Sequence, residues 1–311
     1  MKKYFHKIAT YTALVLISSL SLPVDVFADA EKKQTPSIFS TIDKSTAATK
    51  RKILAEKEQQ IVDEANEAVL GTQQALKALE KNDSKKAISI LRTVSGKLDI
   101  ILAKNPALAL IPADIEFDVS DFQGDAKTVE KAIGEADDLL GEGKLQDARQ
   151  ILAQLASEIR VSTINIPLGS FPTAIKDAVA LIDTGKSNEA ADVLNKVLNM
   201  LVETTEVFPL PILRAETLLD EASELENKKD LSKEKSREEI LKLADAAKDE
   251  LKLAELLGYG NKDDYKVLYT EIDVVKETLH SEKSSATWEK IKRTLSELKN
   301  KVMHTKKSSM A

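Results

Sequence analysis

The chain has 311 residues, with 45 basic against 51 acidic side chains, a formal charge of −6, no cysteine, three histidines and 4% aromatic residues. An acidic balance argues against nucleic acid or an anionic membrane surface as the main partner, because both are bound through concentrated positive charge. Without cysteine there is no disulfide, no thiolate nucleophile and no cysteine metal ligand, and a near absence of histidine weakens hydrolase, triad and metalloenzyme readings.

The first element in chain order is a targeting segment. Lys2, Lys3 and Lys7 form a basic start, Ile8 to Leu22 carries no charge, Pro23 breaks the run, and Val26-Phe27-Ala28 places small or aliphatic residues where a signal peptidase reads. A spanning helix needs ~20 apolar residues, so residues 1–28 are read as a signal cleaved after Ala28, leaving no stable membrane anchor. Cleavage removes three lysines and Asp25 and leaves a formal charge of −8. The destination is the periplasm or the outside. Residues 29–49 are polar and without sustained period, and read as a disordered leader.

From about Lys50 the apolar spacing is helical: Ile53, Ile61, Ala65, Ala68, Val69, Thr72, Ala75, Leu76 and Leu79 make one stripe. An internal repeat follows. Residues 78–91, 139–152 and 181–194 each pass through a residue that tolerates positive φ, namely Asn82, Gly143 or Gly185. Each then supplies an alanine (Ala87, Ala148, Ala190) and, one turn on, a leucine (Leu91, Leu152, Leu194). The small residue permits close helix packing, and the leucine is expected to fill the shared interior, so each copy is a helical hairpin. Tetratricopeptide repeats share the turn-plus-alanine signal at a period of ~34 residues. Here the turns are unevenly spaced and the aromatic positions are missing, which favours hairpins packed in one domain over a solenoid.

Three connections break the helical pattern. Leu110–Val119 alternates from Ile115 onward, Val161–Pro167 is β-branched, and Glu206–Pro211 is locked by prolines. They suit short extended pieces, as a minor β-ribbon of two strands. Beyond them, Pro211 suits the first turn of a helix to about Glu226. Ser236-Arg-Glu-Glu239 has capping-box spacing for a helix to Leu257, Gly258-Tyr-Gly260 forms a turn, and Asp264–Leu279 is helical again. Trp288, Ile291, Leu295, Leu298 and Val302 form a narrow seam. The fold class is therefore all-α, with a helical domain over residues 50–302 and a disordered tail over 303–311.

Reactive machinery is scarce in this pattern. Carboxylate pairs such as Asp137-Asp138 and Asp263-Asp264 point in different directions on a helix and read as a solvated face. No Gly-rich phosphate loop, nucleophile elbow or EF-hand loop is present, and no cofactor or metal is implied. The best candidates for a functional surface are Arg214 and Glu216 after the Pro-Leu-Pro turn, with Tyr259, Tyr265, Lys266 and Tyr269 around the Gly-Tyr-Gly turn. Arginine and tyrosine are favoured in recognition surfaces. The competing reading is structural: Arg214 pairs with a carboxylate, and the tyrosines pin a helix corner through their hydroxyls.

Several stretches in one order resemble the YfdX family of bacterial proteins: Ile166-Pro-Leu168 with Ile175–Leu194, Pro209–Glu216, Leu251–Gly260 and Asp264–Tyr269, together spanning roughly residues 60–280. The resemblance implies an exported helical protein, linked to bacterial stress responses and able to self-associate, and it carries no catalytic residues over. The expectation is a non-enzymatic protein acting as a homo-oligomer or on a protein client, with the seam at Trp288–Val302 as an exposed contact stripe. The alternative is a small-molecule binder with an apolar cavity between hairpins.

Overall fold

The computed structural model describes residues 36–230, 232–279, 282–303 and 306–309. The expected signal at 1–28 lies outside them. Along the chain, α1 (Pro36–Glu58), α2 (Asp63–Glu80) and α3 (Ser84–Lys104) lead into β1 (Leu110–Ser120). Then come α4 (Ala126–Gly141), α5 (Leu145–Leu152), β2 (Glu158–Pro167), α6 (Phe171–Asp183), α7 (Ser187–Asn199) and β3 (Val202–Pro209). The chain continues through α8 (Leu210–Lys228), α9 (Glu234–Leu256), α10 (Lys262–Thr278), α11 (Glu282–Val302) and β4 (Lys306–Ser309). All of these belong to one compact unit, Lys33–Ala311. Helix predominates, as the periodicity requires.

The hairpins form where the turn residues call for them. Asn82, Gly143 and Gly185 have φ of 58°, 76° and 79°, between α2 and α3, α4 and α5, and α6 and α7. Glycine adopts this left-handed region freely and asparagine adopts it more readily than other side chains. Ala87, Ala148 and Ala190 are fully buried at the helix contacts that follow. Leu91 and Leu194 are buried as the repeat implies, but Leu152 is 44% exposed, which corrects the expectation for the middle hairpin. The reason is its surroundings. α2–α3 and α6–α7 pack against each other, with Ser84 and Ser187 hydroxyls 2.9 Å apart at the starts of α3 and α7. α5 ends at Leu152 and, among the described residues, packs mainly against α4.

The extended pieces pair more fully than a two-stranded ribbon. The sheet is antiparallel in the order β1-β2-β3-β4, with Phe117 opposite Val161 and Ile159 opposite Phe208. A bulge falls between Pro112 and Asp114, where proline has no N–H for the ladder. α2 covers that stretch of edge: Val62 donates its N–H to the Pro112 carbonyl at 3.1 Å, and the Asn66 amide donates to the Ala113 carbonyl at 2.9 Å. β4 pairs with β3 from within the stretch expected as a tail, and α1 begins inside the stretch expected as a leader. α1 is tied down by buried Ile53 and by Lys57, whose ammonium donates to both Glu206 oxygens at 2.7 Å.

Two main cores result. One joins α2, α3, α6 and α7 through Leu91, Leu98, Ile101, Phe171, Ile175 and Leu194. The other joins α8 to α11 through Ile212, Leu218, Leu251, Leu268, Ile272 and Ile291. A smaller cluster of Ile115, Ile159, Val161, Phe208 and Leu213 lies where the sheet meets α8. Trp288, Ile291, Leu295 and Leu298 are all at or below 4% exposure. The seam is therefore covered by the chain's own helices and is not an exposed stripe. The capping box likewise lies elsewhere: α9 begins at Glu234, ahead of Ser236, whereas Asn261 and Asp264 make the reciprocal box at the start of α10.

Asp125 caps α4 by accepting hydrogen bonds from the Thr128 N–H at 2.9 Å and the Thr128 hydroxyl at 2.8 Å. Those bonds hold its carboxyl below the usual aspartate range. With the folded value lowered, the stabilisation is present above the unfolded value of about 3.9 and is lost as pH falls through the folded one. Asp125→Ala should therefore cost about 1 kcal/mol at pH 7, and less at a pH of about 2.5, below the unfolded value, where part of the advantage is lost. Urea unfolding at the two pH values measures the difference, and an unchanged gap would contradict the assignment.

Candidate functional site

Arg214 and Tyr259 come together in a polar junction between the sheet and the C-terminal helices. Arg214, in the first turns of α8, has a side chain 12% exposed, and its Nη2 lies 2.8 Å from both oxygens of Asp121 just after β1. Its Nη1 stands 3.9 Å from Oε2 of Glu250 on α9, whose side chain is 7% exposed. The Ser157 hydroxyl, before β2, donates to Asp121 Oδ1 at 3.2 Å. The Ser157 N–H donates to the Tyr259 hydroxyl at 2.9 Å, and that hydroxyl donates to Glu158 Oε2 at 2.9 Å. Glu158 in turn accepts from Arg160 at 2.6 Å. Gly258 and Gly260, with φ of 82° and 103°, shape the turn that presents Tyr259.

The aromatic cluster continues from there as structure. Tyr265 is fully buried and donates its hydroxyl to the Tyr259 carbonyl. Its ring stacks on Tyr269 at 6.2 Å between centroids, and Tyr269 donates to Glu255 Oε2 at 2.7 Å. Burial pushes the hydroxyls of Tyr259, Tyr265 and Tyr269 well above the ordinary tyrosine value, so at neutral pH they act as fixed donors and not as bases. Glu216 belongs to neither group. It accepts from Lys299 at 2.7 and 2.6 Å and borders a cleft of about 210 Å³ with Leu219, Asp220, Ile291, Lys292 and Leu295. Lys266 is exposed and apart. The six candidates thus divide into the junction, the tyrosine corner, the cleft and open solvent.

Sequence reasoning did not single out Asp121, Ser157, Glu158 or Glu250, because Asp121 and Arg214 are 93 residues apart and no local pattern links them. It also missed the apolar surface. Of the nine large apolar residues left exposed among the described residues, four (Ile133, Leu140, Leu145 and Leu152) belong to the α4–α5 hairpin, while Ile100, Leu108, Val119, Met200 and Val267 are spread over other segments. Among the described residues no group of three or more histidines and carboxylates is arranged to hold a metal ion. No helix among them is long and apolar enough to cross a membrane.

Residues 68–207 match the family model described as YfdX protein. The match runs from α2 through most of β3 and ends short of Pro209–Glu216, Leu251–Gly260 and Asp264–Tyr269, to which the sequence reading extends the resemblance. No curated protein matches the chain. Among solved structures the chain is similar to the Salmonella Typhi protein YfdX, at 18% identity and a TM-score of 0.35. That likeness covers 48% of this chain and 93% of the other.

Proposed function

On the premise that residues 68–207 form a YfdX region, we propose that this chain is an exported, stress-associated protein that works by association, with itself or with a protein client, and not by catalysis. The family resemblance supports export to the periplasm and a stress role, and the segment at residues 1–28 has the grammar of a secretory signal. The observation that carries association is the gathering of exposed Ile133, Leu140, Leu145 and Leu152 on one hairpin. Soluble proteins seldom leave large apolar side chains grouped in this way unless the surface makes contacts.

The polar junction favours the same reading. Arg214 and Tyr259 use their polar atoms on Asp121, Ser157 and Glu158, whereas a catalytic constellation keeps groups convergent on a space for substrate. The cleft beside Glu216, about 210 Å³, is smaller than the roughly 300–1,000 Å³ usual for small-molecule sites, which supports association over ligand binding at that cleft.

Crosslinking with mass spectrometry on intact cells tests the proposal. Association predicts intermolecular crosslinks from Lys131 and Lys144, which lie on the hairpin, in protein recovered from the periplasmic fraction. Recovery from the cytosol with intramolecular crosslinks alone would overturn it.

A further inference from the structure

We propose that the occupant of the α4–α5 surface is the same hairpin of a second copy, related by a two-fold axis parallel to the two helices. This rests on the association reading above and adds the partner and its geometry.

Successive residues of a helix are rotated by about 100°. α4 buries Val129, Ala132 and Ala136, and α5 buries Ala148. Ile133 and Leu140 are turned to one side of the buried line of α4, and Leu145 and Leu152 are turned by the same sense and amount from Ala148. Because the helices are antiparallel, equal rotations bring all four residues to one side of the hairpin. α9 packs against α4, and Ile133, Leu140, Leu145 and Leu152 stay exposed with it in place, so their side of the hairpin is open.

Charge then selects the occupant. Continuing the rotation outward, the rim of α4 carries Asp137 and the rim of α5 carries Arg149, both exposed. Neither makes an ion pair among the described residues. Asp137 lies six residues before Gly143 and Arg149 six after it, so the two stand at one height along the hairpin. Leu140 and Leu145 likewise stand level, as do Ile133 and Leu152, each to within about 1.5 Å by the helical rise. A two-fold axis parallel to the helices lays α4 of one copy over α5 of the other without changing height. Asp137 then meets Arg149 of the second copy twice, the four apolar residues meet their counterparts, and the surface is complementary to itself, as an isologous contact requires. A client with an acidic or basic patch of one sign would satisfy only one rim.

A face of this size suits a weak dimer, with Kd on the order of 10 µM. Sedimentation of the purified chain from about 1 to 100 µM, spanning that value, should show monomer passing into dimer. Asp137→Arg and Arg149→Asp should each weaken the dimer about tenfold or more, since two rim pairs are reversed, and the combined variant should return to within about threefold of the original. The absence of cysteine allows a second readout. A mixture of Asp137→Cys and Arg149→Cys chains should form a disulfide-linked heterodimer, whereas neither variant alone should crosslink comparably. A dimer indifferent to the charge swap, with no preferential crosslinking in the mixture, would overturn this interface and leave association standing through another surface. A chain monomeric to 100 µM that is also free of intermolecular crosslinks in cells would overturn both.

Discussion

Replacing Arg214 with methionine is expected to lower the unfolding free energy by about 3 kcal/mol, the lower end of what breaking a buried ion pair costs. Methionine keeps much of the apolar stem, so lost packing contributes little. What changes is the company left behind. Asp121 loses both 2.8 Å contacts, and the Glu250 carboxylate, 7% exposed, loses the nearby guanidinium. Asp121 retains the Ser157 hydroxyl and is 28% exposed, which holds the loss to the lower end of the range. Adding Asp121→Asn and Glu250→Gln to Arg214→Met removes the two charges that have lost the guanidinium and should recover more than half of the lost stability, because a neutral amide costs far less to shelter. Urea unfolding of the three proteins measures this. A loss below about 1 kcal/mol, the range of exposed pairs, would show the junction to be screened by solvent.

Much of the hairpin architecture was legible because its signals are local. A residue tolerant of positive φ, followed by alanine and then leucine at helical spacing, is enough to specify a turn and a close helix contact, as Asn82, Ala87 and Leu91 show. The β-branched and proline-bounded stretches likewise announced extended backbone. What local signals lack is the identity of the cover. The spacing of Trp288, Ile291 and Leu295 requires burial of that face, but whether a partner or the chain's own α8, α9 and α10 supplies it depends on residues up to about 80 positions away. Capping chemistry is ambiguous for a related reason: Ser236–Glu239 and Asn261–Asp264 have equivalent spacing, and only the second falls at a helix start. The site was less legible still. Tyr259 and Arg214 stand out by residue type, yet their respective partners, Ser157 and Asp121, which bond to each other, are ordinary loop residues placed there by the pairing of β1 with β2.

Leu194→Ala and Leu152→Ala should separate two environments that the repeat makes look alike. Leu194 is fully buried in the core that α7 shares with α2, α3 and α6, and truncation there is expected to cost about 3 kcal/mol through lost transfer energy and an unfilled cavity. Leu152 occupies the corresponding repeat position at 44% exposure, so its truncation should change monomer stability by about 0.5 kcal/mol or less. The same change removes an apolar contact from the proposed two-fold surface, and it should therefore weaken dimerisation while leaving monomer unfolding nearly untouched. That pairing of effects matters because a residue serving only the monomer's core would show the reverse. Urea unfolding at about 1 µM, below the dimerisation range, isolates the first quantity, and sedimentation at higher concentration reads the second. A cost of about 2 kcal/mol or more for Leu152→Ala in the monomer would mean that the hairpin's apolar side is already covered within one chain, and the surface would then have nothing left to offer a second copy.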